Sequence, residues 1–443
     1  MQSKRLLIIA LSIISLATAC GAEGDAESTR TTAPASEAAN DADGDADKSA
    51  TPDDSGSQAP APETDAEPSA SEIDVDAVLA ADLNSCEAVP SGETLRIGYA
   101  ADFSELGGFV DIPGSAAAEY FVELLNCRGG VDGRPVELIV RDIEGNPETA
   151  GRVAQELLDD KVSAILGPAF FDVNQAILQV TAGKTPLISV SSTEPLLADP
   201  AQLSLLASFT DTAQAKAAAR FAIEQGWQTS ATFSVPGPYF GYLVEVFTEE
   251  YEALGGRMLD DYPFVPAQTT DFSAQVNQIA ALEPQPDVIY SALIAFQAAI
   301  LRGQLDEAGV GSEMLLADAF SATGGYFTDG VEGFFHTSHT FPEPDGRMLK
   351  FLDSYEQVKG SALESDSYSA LAADAILVIA AAVIETGSLD PGEVGRAMIA
   401  GTGIDGLTGV LRYNGGGTPN TPVYVHEVVD GGPNLAAVYE VNE

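Results

Sequence analysis

From residue 93 onward, short apolar runs alternate with longer stretches in which apolar positions recur every three or four residues. The first rhythm marks buried strands and the second amphipathic helices, so their alternation predicts a mainly parallel α/β sheet. Residues 94–100 (TLRIGYA), 135–142 (PVELIVRD), 162–167 (VSAILG) and 187–190 (LISV) read as strands. Helices are expected between them at 115–126, 147–159 and 173–182, the first ended by Arg128-Gly129-Gly130. The rhythm then restarts. Strands are expected at 229–235, 257–263, 287–292, 313–317 and near 333–337, with helices at 213–225, 240–254, 272–281 and 296–308. A long helix at 368–386, a shorter one at 391–400 and strands at 409–413 and 423–429 complete the pattern. The patterned part spans roughly 370 residues, more than one core ordinarily serves, so two lobes are expected.

The first 72 residues follow neither rhythm. Lys4 and Arg5 precede an apolar run at 6–16 that is far too short to span a bilayer. Leu16-Ala17-Thr18-Ala19-Cys20 comes next, and a basic start, a short apolar core and small residues before a cut describe a secretory signal over 1–19. The cysteine in that place resembles a bacterial lipoprotein signal, in which Cys20 is lipidated and becomes the new N-terminus. The leucine lies one place further from Cys20 than in the commonest pattern, and the alternative is an ordinary signal peptide. Either way the folded part works outside the cytoplasm. Residues 21–72 carry 14 acidic side chains against Arg30 and Lys48 and almost no large apolar residue. Such a segment buries too little to offset its ordering entropy, so 20–72 is expected to be a disordered acidic tether.

Charge narrows the partners. The whole chain carries −47, of which roughly −37 falls on the patterned part. A surface this acidic does not track a phosphate backbone, which excludes nucleic acid. Among segments beyond the signal, 370–384 comes closest to a membrane span, but Asp374 interrupts it and it is short. With Cys20 spent on lipid, Cys86 and Cys127 remain as an even pair in an oxidising compartment, so a bridge between them is expected.

Signals for catalysis are weak. Gly401-Thr402-Gly403-Ile404-Asp405-Gly406 matches the dinucleotide pattern, but it follows a helix and precedes none. His336 and His339 form an HxxH on an expected strand, where that spacing does not put both rings on one face. Neither a cofactor, a metal site nor an enzyme is indicated.

The ordered set Leu95-Arg96-Ile97-Gly98, residues 126–138 (NCRGGVDGRPVEL), 162–168 (VSAILGP), 186–195 (PLISVSSTEP) and 406–414 (GLTGVLRYN) resembles the type I solute-binding proteins of the branched-chain amino-acid transporter class. The resemblance covers about 93–435. It implies two doubly wound, Rossmann-like α/β lobes joined by three crossovers, with a ligand in the cleft between them. Carried onto this chain, the lobes are 93–209 plus 340–407 and 210–337 plus 410–435. The carboxylate of an amino-acid ligand is expected at Ser191, Ser192 and Thr193, and its ammonium at Asp318. Where many members carry small hydroxyl residues, this chain has Phe170 and Phe171, and Phe240 takes the place of a covering tyrosine. Together with Phe103, Phe109, Phe296 and Phe320 these suggest an aromatic pocket for an apolar or aromatic amino acid or carboxylate. The implied partners are the permease and ATPase subunits of an ABC importer, with the membrane reached through the lipid anchor. The alternative is a ligand-sensing receptor of the same fold signalling to a membrane partner.

Overall fold

The computed structural model describes residues 73–440, apart from 87, 88, 106 and 402. The signal sequence, Cys20 and the tether lie outside the described residues.

Five strands, β1 (Leu95–Ala101), β2 (Val136–Asp142), β3 (Ala164–Gly167), β4 (Leu187–Ser189) and β5 (Ser204–Leu206), form one sheet. Their order is β2-β1-β3-β4-β5 and every pairing is parallel. Burial on both faces explains the nearly continuous apolar runs of β3 and β4. One face is covered by the helices Gly108–Cys127 and Asp366–Thr386, packed on one another in the largest apolar cluster of the molecule. The helices Pro147–Asp159 and Phe171–Thr181 cover the other face. Asn146 caps the first of these, its side-chain oxygen accepting from the N–H groups of Glu148 and Thr149, with Pro147 at the first helical position.

The second sheet takes up β6 (Thr229–Ser234), β7 (Arg257–Pro263), β8 (Val288–Ser291), β9 (Glu313–Leu316) and β10 (Phe335–Ser338). A small hairpin, β11 (Ile404–Asp405) with β12 (Val410–Leu411), stands apart. β13 (Val423–Val429) and β14 (Gly432–Tyr439) then return to the second sheet, giving the order β14-β13-β10-β9-β8-β6-β7. Within this sheet only the pairings of β13 are antiparallel.

The chain passes between the sheets three times. The first passage is 207–210, where Thr210 caps the helix Asp211–Glu224. The second follows β10. The third falls later than expected from sequence. Leu411 and Tyr413 sit in the first lobe's core, the Tyr413 hydroxyl donates to the Leu206 carbonyl at 2.7 Å, and the Leu206 N–H donates to Gly417 at 2.8 Å. Residues 410–417 therefore pack on the first lobe, not the second. A Cβ at Gly417 would lie 2.6 Å from the Ala198 carbonyl carbon, so only glycine fits this approach.

Four further differences have plain causes. The helix expected from 115 begins at Gly108, because Pro113-Gly114 reads as a breaker in sequence yet lies within the helix. β5 is three residues long, too short to show a period. The helix Arg347–Lys359 buries only Met348 and Phe351, which leaves little apolar signal. The helix Asp366–Thr386 is, at 21 residues, long and apolar enough to cross a membrane, but 83 % of its most apolar window is buried within the first lobe.

Cys86 and Cys127 are joined as a disulfide, their Cα atoms 4.6 Å apart. The bridge ties the segment after the helix Val75–Leu79 to the end of Gly108–Cys127. Val75 and Val78 pack into the first lobe's core, and Arg347 pairs with Asp76 at 2.8 Å.

Candidate functional site

The two sheets meet through the loops that leave the carboxyl ends of their strands, where ligands of open α/β sheets lie. The loop after β4 contributes Ser191, Ser192 and Thr193, all buried. Their hydroxyls are taken up within the protein. Ser191 Oγ donates to Asp111 Oδ1 at 3.4 Å, and Thr193 Oγ1 donates to Asp211 Oδ1 at 2.6 Å. Ser192 Oγ accepts from the Glu194 N–H at 3.4 Å. Asp111 stands in the first turn of its helix and also accepts from the Asp102 N–H at 2.8 Å. Burial pushes its carboxyl well above the usual range, against the hydrogen bond it accepts from the Asp102 N–H. Asp211 opens the first helix of the second lobe. Burial, then the Asp318 charge, pushes it up likewise.

Asp318 lies two residues beyond β9 and is 3 % exposed. Its Oδ1 accepts from the Tyr239 hydroxyl at 2.6 Å, and its Oδ2 from the Tyr368 hydroxyl at 3.0 Å. His339 Nε2 lies 3.1 Å from the same Oδ2, and its Nδ1 lies 2.9 Å from Ser208 Oγ. Tyr239 belongs to the second lobe, Tyr368 to the first, and Ser208 and His339 to the first two passages between them. The Phe209 ring stacks on His339 at 4.3 Å. Burial alone would raise the Asp318 carboxyl, but the His339 hydrogen bond and charge, with the Tyr239 hydroxyl, outweigh it and hold it at about 2. Asp318 is thus a buried anion gripped by both lobes.

Residues 94–433, more than half of the chain, match the family described as periplasmic binding protein. The chain belongs to this family. A curated relative, Leu/Ile/Val-binding protein homolog 3 of Brucella melitensis biotype 1, is 24 % identical over 311 residues, covering 69 % of this chain and 83 % of its own. The branched-chain amino acid substrate-binding protein LivJ of Streptococcus pneumoniae, solved with isoleucine, aligns with a TM-score of 0.67 at 22 % identity, over 79 % of this chain and 99 % of that one. A solute-binding protein of an ABC transporter from R. palustris, solved with benzoate, aligns with a TM-score of 0.65 at 18 % identity, over 78 % and 96 %. These likenesses establish the type I periplasmic-binding-protein fold, and the relatives themselves are solute-binding proteins.

Within this periplasmic binding protein the expected aromatics divide. Phe103 and Phe170, on loops after β1 and β3, keep 39 % and 40 % of their surface exposed, and Phe296 keeps 40 %. The others are spent on packing. Phe109 packs against the large first-lobe cluster and Phe171 against the cluster beneath the helices Pro147–Asp159 and Phe171–Thr181. Phe240 meets Tyr239 and Phe264 edge-on, and Phe320 is fully buried in the second lobe. Sequence reading missed Asp111, Asp211, His339 and Tyr368 as members of the site. Asp111 was hidden by the Pro113 signal, and Asp211 reads as an ordinary first-turn acid. His339 is the exception with a usable clue, since it is one of three histidines in the chain and falls on a passage between lobes.

Proposed function

We propose that this periplasmic binding protein is a lipid-anchored, extracytoplasmic receptor that captures a small ammonium-bearing solute between its lobes and delivers it to the permease and ATPase subunits of an ABC importer. Asp318 carries the reading. A buried carboxylate held in its charged form, at a strand end and bonded from both lobes, is suited to exchange a hydroxyl donor for an ammonium as the cleft opens and recloses. Phe103 and Phe170 offer apolar surface beside the loops of the first lobe, which favours an apolar or aromatic body. The names of the relatives, which mention leucine, isoleucine and benzoate, agree with a small organic solute. Of the expected amino-acid and aromatic-carboxylate ligands, the geometry around Asp318 supports the one with an ammonium.

The test is a thermal-shift screen of the mature chain against amino acids, amines and aromatic carboxylates, followed by titration of each hit into Asp318→Ala. Ligand at 100 times its dissociation constant adds about 2.7 kcal/mol of stability. A hit whose affinity falls by about 2–3 kcal/mol in the variant supports the reading, since it leaves an ammonium unpaired. Hits confined to aromatic carboxylates, unchanged in the variant, overturn it.

A further inference from the structure

The hydroxyls expected to receive a ligand carboxylate already serve two carboxylates of the protein. Thr193 is bonded to Asp211 at 2.6 Å, and Ser191 to Asp111 at 3.4 Å. An anion placed on the 191–193 loop would meet both acids and displace a hydrogen bond from each. No lysine or arginine is among the hydrogen-bond or ion-pair partners of Asp111, Asp211 or Asp318 in the described residues, and the one basic ring on Asp318 is His339. The site therefore offers no lysine or arginine to balance a second negative charge.

Asp211 adds an independent sign. It is 1 % exposed, and its Oδ1 accepts from both Thr193 Oγ1 and Gln214 Nε2, at 2.6 and 2.9 Å. Its Oδ2 is buried with no hydrogen-bond partner. A buried carboxylate oxygen left bare is costly unless a proton or a cationic donor reaches it. This oxygen sits where Thr193 of the first lobe meets the second lobe, on a carboxylate close enough to feel the Asp318 charge. Gln214 links the two acids directly, since its Oε1 accepts from the Asp318 N–H at 3.4 Å and from Thr337 Oγ1 at 2.8 Å.

We propose that the cleft selects a primary organic amine with an uncharged body, and discriminates against the amino acid that differs from it by a carboxylate. The proposal rests on the cleft being the ligand site and goes beyond it in assigning the ligand's charge. The ammonium has three hydrogens, enough to bond Asp318 and the bare Asp211 oxygen together. The uncharged body leaves the Ser191–Asp111 and Thr193–Asp211 bonds in place. An amino-acid carboxylate brings a negative charge into a set of acids without a cation of its own.

The experiment is calorimetric titration of the mature chain with matched ligands: phenethylamine, phenylalanine amide, phenylalanine and 3-phenylpropionate, and isoamylamine against leucine. The expected result is binding of the amines and the amide at least 10-fold tighter than their carboxylate counterparts, with 3-phenylpropionate not binding. Asp211→Asn, which keeps an oxygen for Thr193, is expected to weaken the amines 10-fold or more. Should that variant not fold, the wild-type series decides alone. Leucine or phenylalanine binding as tightly as its amine, with affinity lost in Asp318→Ala, overturns the charge assignment while leaving the receptor reading intact. Binding of 3-phenylpropionate alone overturns both.

Discussion

Replacing Asp318 by asparagine tests whether the carboxylate at the lobe junction is a stabilised anion. Asparagine keeps the size and one oxygen and stands in for the protonated acid. The folded protein holds this carboxyl at about 2 against an ordinary value of 3.8. One unit corresponds to 1.36 kcal/mol, so the charged form contributes about 2–3 kcal/mol to stability. Because the folded value is depressed, that contribution is fully present above pH 3.8 and is lost as pH falls through 2. The assay is urea unfolding of wild type and Asp318→Asn at a series of pH values between 7 and 2. The wild type should exceed the variant by about 2–3 kcal/mol at pH 7, with the gap unchanged to pH 5 and mostly gone at pH 2. Other carboxylates titrate in the same window, but those that do not feel the Asp318 charge do so alike in both proteins and cancel in the difference. A gap that is independent of pH would mean that asparagine merely packs badly, and no gap would mean that Tyr239, Tyr368 and His339 do not stabilise the charge. Either result refutes the argument.

Four further outcomes are expected. Tyr368→Phe removes a hydroxyl that the first lobe gives to the Asp318 carboxylate; it should weaken lobe closure by about 1.5–3 kcal/mol, seen as a larger radius of gyration in small-angle scattering without a change in far-ultraviolet dichroism. Cys127→Ser should lower unfolding stability by about 4 kcal/mol on the loop-closure account, and thiol titration of the unreduced, unfolded mature protein should find no free thiol on Cys86 or Cys127. Asp374 is pushed up to about 6 by burial, against hydrogen bonds from Thr408 and Leu407. A raised carboxyl favours the fold below pH 3.8, and that contribution, about 3 kcal/mol, is lost as pH rises through 6; the loss should be absent in Asp374→Asn when unfolding is followed from pH 4 to 7. Cys20→Ser should move the protein from the membrane fraction to the soluble extracytoplasmic fraction on cell fractionation.

The parts legible in sequence are those whose cause is local. β3 and β4 were visible because burial on both faces makes a strand continuously apolar, and Asn146-Pro147 marks its helix start by capping chemistry that needs only neighbouring residues. The later third passage was not visible, because Tyr413 and Gly417 owe their position to contacts with Leu206 and Ala198, two hundred residues away. The same distinction runs through the site. Ser191, Thr193 and Asp318 could be found because the family resemblance carries its ligand positions onto the loops after β4 and β9. What those hydroxyls do could not be found that way. Their partners come from 80 and 18 residues off, on helices of different lobes, and one of those helices begins where a proline argues for a loop. Two serines and a threonine at a strand end are equally good donors for a ligand's carboxylate and for a protein's own. Whether the loop is open to an anion therefore depends on Asp111 and Asp211, which the sequence of the loop does not reveal.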